Sequence, residues 1–243
     1  MSGSFRAVVA ATAATGVGVT TLTPRPLLTI TVAAIAVICA LGWPALVGLP
    51  ARAAATVVLL ATAASSVLVV ELLQDLAWLA VVAAGAVLAA FLAQLFRRDG
   101  RPRLLEEVAG TITGAVIVAS AAGWLAIGPS PRSEALVITA AVAIAVASVV
   151  ALVRLPATWS TVASVVLACA AGSGIGFAAT TLSTLVGALV GLAAGLLVAT
   201  VHRLFAHYPV SGRLLPGLAA ALSVVSVSGV PVYILGRVLL PIG

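Results

Sequence analysis

Residues 76–96 read LAWLAVVAAGAVLAAFLAQLF, and residues 97–103 follow at once with RRDGRPR. The first stretch carries no charge and is long enough, as a helix, to cross a bilayer core of roughly 30 Å. The second gathers Arg97, Arg98, Arg101 and Arg103 around a turn set by Gly100 and Pro102. An apolar run that ends on an arginine cluster reads as a transmembrane helix leaving the membrane on its cytoplasmic side.

The same alternation fills the chain. Its 243 residues are 63% hydrophobic and only 7% charged, with a mean hydropathy of +1.31. A soluble domain carries about 25% charged residues, so this composition cannot clothe a water-exposed surface. The expected fold is an all-α polytopic membrane protein without a soluble domain. Apolar runs between charges and prolines predict nine spans, at 6–23, 27–47, 53–71, 76–96, 107–128, 134–153, 158–178, 181–205 and 214–239. The first is short and rich in Thr and Gly, which leaves eight spans as the alternative. The opening residues resemble a secretory signal, but no small-residue cleavage site precedes Pro24-Arg25-Pro26, so they read as a first membrane helix.

All twelve basic side chains are Arg. An Ala/Val/Arg-heavy chain without Lys points to a bacterial source, and hence to an inner membrane. Alternating from the 97–103 cluster puts nine Arg on the cytoplasmic side. Only Arg25, Arg132 and Arg237 fall outside. The N-terminus is then cytoplasmic and the C-terminus outside. Trp43, Trp78, Trp124, Trp159, Tyr208 and Tyr233 fall near span ends, where amphipathic rings prefer the headgroup level. The net charge of +6 therefore serves topology and anionic lipid headgroups at the basic loop, not nucleic acid.

An internal repeat emerges from the same reading. Residues 45–51, ALVGLPA, recur as ALVRLPA at 151–157. Pro24-Arg25 matches Pro131-Arg132, Ala34-Ile35-Ala36-Val37 matches Ala143-Ile144-Ala145-Val146, and Arg103-Leu104-Leu105 matches Arg213-Leu214-Leu215. Order is kept, and the offsets run between 106 and 110, as a duplication with a few small insertions gives. The expectation is a parallel four-helix duplication, 6–96 and 107–205, with 214–239 as an extra helix.

Catalytic and metal motifs are absent from the sequence, so no enzyme, cofactor or metal site is expected. Cys39 and Cys169 fall mid-span and read as free, shielded thiols. His202 and His207 flank Arg203 without a carboxylate or Cys beside them, a poor metal set. Glu71 and Asp75 read as acids in a solvated outer turn, with a cation-attracting mouth as the alternative. Glu106 and Glu107 read as a helix start, where the dipole favours carboxylates. Gly187, Gly191 and Gly195, four apart, form a ridge for close helix packing, internal or against a second copy or another membrane protein. Gly172-Ser173-Gly174-Ile175-Gly176 with Thr180 and Thr181 suggests an interrupted helix end whose freed carbonyls and hydroxyls line a substrate path; the plainer alternative is a loop with tight turns.

Leu155-Pro156 and Trp159, then a span, then the Gly187/Gly191 helix, loosely resemble aromatic exporters of the fusaric-acid type. That family's basic residues are replaced here by Thr180-Thr181-Leu182-Ser183-Thr184. Residues 95–128 are similar in the same degree to threonine/serine exporters. The two likenesses compete, and neither assigns a family. The expected function is a permease-like transporter or exporter of a small molecule, with a non-transporting membrane scaffold or accessory subunit as the alternative.

Overall fold

The computed structural model describes residues 3–97, 103–128, 130–150, 152–153, 156–179, 181–206 and 213–239. Among them there is no strand. The helices run α1 Gly3–Thr21, α2 Arg25–Leu46, α3 Arg52–Leu73, a 3-10 turn Leu76–Trp78 leading into α4 Leu79–Leu95, α5 Leu104–Ser120, short α6 Gly123–Ala126, α7 Pro131–Val150, α8 Ala157–Ala178, α9 Thr184–Ala206 and α10 Leu214–Leu239. Eight segments are long and apolar enough to cross a membrane: α2, α3, α4 with its leading turn, α5 with α6, and α7 to α10. The chain is an all-α, multi-pass membrane protein.

The first predicted span behaves differently. Helix α1 forms and packs against α7, α10 and α2, yet, with Arg6, Thr and Gly in its sequence, it is not among the eight. Its hydroxyls are not left open. Thr12, Thr15, Thr20 and Thr21 donate to carbonyls one turn back, on Val8, Ala11, Gly16 and Val17. Ala7, Ala10, Ala14 and Val17 are buried. A polar-looking sequence thus makes a helix that needs no water to satisfy it.

Helices alternate in direction, so the connections fall at two ends. One end holds Arg6, Arg52, Arg97, Arg103, Arg203 and Arg213. The other holds Arg25, Arg132 and Arg237. Contacts across the bundle keep the sets apart: Arg6 donates to the Phe205 carbonyl at one end, and Arg25 donates to the Leu125 carbonyl at the other.

Helix α10 is the axis. Inside the bundle 61% of its span is buried, against 17% for α4 and 22% for α8, which puts those two on the lipid-facing periphery. Helix α10 touches α1, α2, α5, α6, α7 and α9. Glycine lets it come that close. A Cβ on Gly42 would lie 2.3 Å from the Leu215 carbonyl oxygen, and one on Gly229 2.3 Å from that of Ser120.

Two of the tryptophans near span ends are enclosed by the bundle. Trp43 and Trp124 are 4% and 2% exposed, inside the bundle. Each donates its indole N–H across a helix interface, Trp43 to Gly110 O at 2.9 Å and Trp124 to Val225 O at 2.8 Å. The interior partner for the N–H is what permits the burial. Trp78 and Trp159 are exposed.

Candidate functional site

At the end bearing Arg25, Arg132 and Arg237, five parts of the chain meet. Helix α3 stops on Gln74, which takes the left-handed conformation (φ 54°). Asp75 then accepts the Ala77 N–H at 2.9 Å and starts the 3-10 turn. Helix α6 runs out at Ala126, and Gly128 turns the chain with φ +79°. Ser130 begins α7: its Oγ accepts the Ser133 N–H at 3.1 Å, and its carbonyl accepts that of Glu134 at 2.9 Å. The last turns of α10 and Thr181 from the α8–α9 connection complete the ring.

These segments enclose a cavity of about 630 Å³, open at that end. Its lining mixes charge with apolar wall: Asp75, Arg132 and Arg237, the hydroxyl residues Ser130, Ser133, Thr181 and Tyr233, and Ala126, Ile127, Leu136 and Gly236. The Arg237 guanidinium carbon lies 5.8 Å from the centre of the Tyr233 ring, a cation–π arrangement. A smaller hollow of about 130 Å³ lies beside it, sharing Ile127 and lined by Thr20, Thr21, Arg25, Trp124 and Glu134.

Glu71 is committed elsewhere at this end. Its carboxylate accepts from Arg25 Nε at 3.1 Å and from the Thr29 hydroxyl at 2.8 Å. Only Asp75 of the outer pair lines the cavity.

The substrate-path residues expected from sequence are mostly not there. Helix α8 runs unbroken from Ala157 to Ala178, so the interruption expected at Gly172–Gly176 is absent. Ser173 returns its hydroxyl to Cys169 O at 2.6 Å, inside its own helix. Gly172 and Gly176 face α9 instead. A Cβ on Gly172 would lie 2.2 Å from Gly187 O, and one on Gly176 would lie 2.7 Å from Ser183 O. From the other side, Gly187, Gly191 and Gly195 meet the α8 backbone at Gly172, Ala168 and Val165. The two glycine sets are halves of one seam, and the ridge is spent inside the molecule. Thr181 alone of the set reaches the cavity; Thr180 lies outside the described residues.

Gly174 points the other way, with nothing within 4 Å of an added Cβ. Gly174 therefore faces no site among the described residues. Gly174→Leu is expected to insert and fold like the parent, and to gain about 0.5–1 kcal/mol from removing a helix-interior glycine. Thermal unfolding in detergent reads the change. A clear loss of stability would show that the position is enclosed.

At the opposite end sits a cluster built on the helix start that Glu106 and Glu107 mark in the sequence. Glu107, in the first turn of α5, is 0% exposed. Its Oε2 accepts the N–H of Ala51, the residue that caps α3, at 3.1 Å. Arg97 Nη1 lies 3.8 Å away and donates to Gln94 Oε1 at 2.9 Å. Glu107 Oε1 is buried without a hydrogen-bond partner among the described residues. Glu106, its neighbour, faces out and pairs with Arg103, whose guanidinium is held above its ordinary range by that bond. Arg98 and Arg101 of the basic loop lie outside the described residues, as does His207.

Between the ends most buried hydroxyls stay within their own helices, while Ser148 Oγ is buried without a partner among the described residues. Buried hydroxyls of Thr62, Ser66, Thr139, Ser223 and Ser228 donate to carbonyls of their own helices. Ser164 crosses from α8 to Ala147 O of α7 at 3.3 Å. Cys39 is buried 3.5 Å from Ser226 Oγ, while Cys169, on peripheral α8, is half-buried. No group of three or more His, Cys, Asp or Glu among the described residues could hold a metal ion. Compared with protein-family models, curated proteins and solved structures, the chain matches none.

Proposed function

We propose that this chain is a permease-like transporter or exporter of a small molecule in a bacterial inner membrane. The observation that carries the reading is the cavity of about 630 Å³ at one end of the bundle. That volume falls within the range of small-molecule sites, roughly 300–1,000 Å³. Its lining comes from α3, α6, α7, α10 and the α8–α9 connection, so a shift of one helix group against another would change it. At the far end the Glu107 carboxylate is buried, accepting from Ala51 and facing Arg97. A cavity open at one end of the bundle is what a carrier presents in one state of an alternating cycle.

The arginine asymmetry supports a basic end facing the cytoplasm and a cavity facing outside. A reporter fused after Gly243 is then expected to read as external, and one inserted at 99–102 as cytoplasmic. Both on one side would remove this topology. The basic loop of Arg97, Arg98, Arg101 and Arg103 is proposed to rest on anionic headgroups. The tandem duplication stands as part of the proposal. In its support, the recurring 45–51 and 151–157 segments are placed alike in chain order, between α2 and α3 and between α7 and α8.

Buried hydroxyls that bond within their own helices favour a second reading, a membrane scaffold or accessory subunit that needs helix faces but no path. Solute movement separates the two. Purified chain in sealed vesicles is expected to accelerate passage of at least one labelled small solute over empty vesicles. The Gly191→Leu variant, in which α8 cannot seat on α9, should not. No acceleration across organic anions, amines, sugars and neutral aromatics would decide for the scaffold.

A further inference from the structure

We propose that the cavity takes a small organic monoanion, a carboxylate held by Arg132 and Arg237. Arginine outside runs against the charge bias that orients membrane helices, so each such residue needs an account. Arg25 has one, because Glu71 and the Leu125 carbonyl hold its guanidinium. Arg132 and Arg237 have no carboxylate in salt-bridge reach among the described residues, and both line the cavity. Two uncompensated guanidinium groups around one hollow attract an anion, and their planar forks match a carboxylate.

The rest of the lining narrows the class. Asp75 is its only acid, and one of its oxygens already accepts the Ala77 N–H. Two Arg against one Asp leave a single positive charge, which suits a monoanion better than a dianion or a cation. Tyr233 holds Arg237 over its ring, and with Ile127 and Leu136 it offers apolar wall for an aromatic or aliphatic body. Helix α7 starts here as well, and its positive end adds to the same sign. Both arginines are solvent-exposed, so water competes and the binding is expected to be weak. The biological role of the site rests on the transporter reading above; the binding itself does not.

The test uses the full chain purified in detergent, titrated at constant ionic strength with sodium benzoate, benzyl alcohol or benzylammonium. Benzoate is expected to raise the melting temperature saturably, while the neutral and cationic analogues leave it unchanged. Arg132→Gln and Arg237→Gln, both on exposed side chains, should melt like the parent without ligand. Each should weaken benzoate by about tenfold or more, as loss of a charge-assisted hydrogen bond does. Asp75→Asn should tighten it. Absence of a benzoate effect, an equal effect from benzyl alcohol, or parent-like affinity in both Arg variants would overturn the site. If benzoate binds as expected while the chain moves no solute in vesicles, the transporter reading fails and the anion site stands.

Discussion

Gly191→Leu is expected to unfold or detach α8, with a loss of about 3 kcal/mol or more, as severe overpacking at a closed contact gives. A Cβ at this position would lie 2.3 Å from Ala168 O and 2.8 Å from the Cys169 Cα. Both are backbone atoms of α8, so no rotamer change relieves the clash and the helices must part. That contact is the most extensive between any two helices of the molecule. Besides α9, α8 packs on α7, but only 22% of its span is buried, so the α9 seam carries most of its packing. In lipid no hydrophobic force drives helices together, so association rests on close packing, which small residues permit. Gly191→Ala should do less harm, though not none, since the clash begins at Cβ. The comparison variant is Gly174→Leu, the same change on the open side of α8. Folded fraction after detergent extraction and melting temperature read both. Equal behaviour of the two leucine variants would refute the seam.

That seam also shows where the sequence was readable and where it misled. Gly187, Gly191 and Gly195 announced close packing by their spacing. Gly172 and Gly176 are also four apart, hence on one helical face, but the intervening Gly174 made the stretch look like a break. A continuous helix was the better inference once a matching ridge stood on the next span, since each ridge needs a partner without side chains. The Glu107 burial had a comparable signal. Glu107, Thr111, Gly114, Ala115 and Val118 share one face of α5, all buried, while Glu106 falls one step around and faces out. Adjacent carboxylates at a helix start therefore had opposite fates that periodicity could have separated. The membrane architecture was legible because a lipid environment dictates composition along whole segments. The cavity was not, because its lining comes from five elements far apart in sequence. Only Arg132 and Arg237, standing on the minority side, pointed towards it.

Glu107→Leu is expected to cost about 3–5 kcal/mol, the range for removing one partner of a buried ion pair. The carboxylate joins three elements at the basic end. It takes the N–H of Ala51 where α3 begins, faces Arg97 past the end of α4, and sits in the first turn of α5. With leucine in its place, the Ala51 N–H loses its acceptor. Arg97, whose side chain is 7% exposed, keeps a charge with no carboxylate from Glu107 to face it. Glu107→Gln should cost less, because an amide oxygen can still accept from Ala51 and only the charge is lost. The pair term is separated by adding Arg97→Leu. If the two charges compensate each other, the double variant is more stable than the sum of the singles predicts, by a coupling of about 0.5–3 kcal/mol. Chemical unfolding in detergent supplies the four stabilities of the cycle. In the transporter reading the same variants have a second consequence, since that reading makes this buried cluster part of the closure opposite the cavity. A cysteine placed at Thr111, one turn deeper on the same face and 2% exposed, should become reactive to a water-soluble maleimide in Glu107→Leu while staying protected in the parent. Strict additivity in the cycle, with Thr111 equally protected in both backgrounds, would show that neither the ion pair nor a gate operates there.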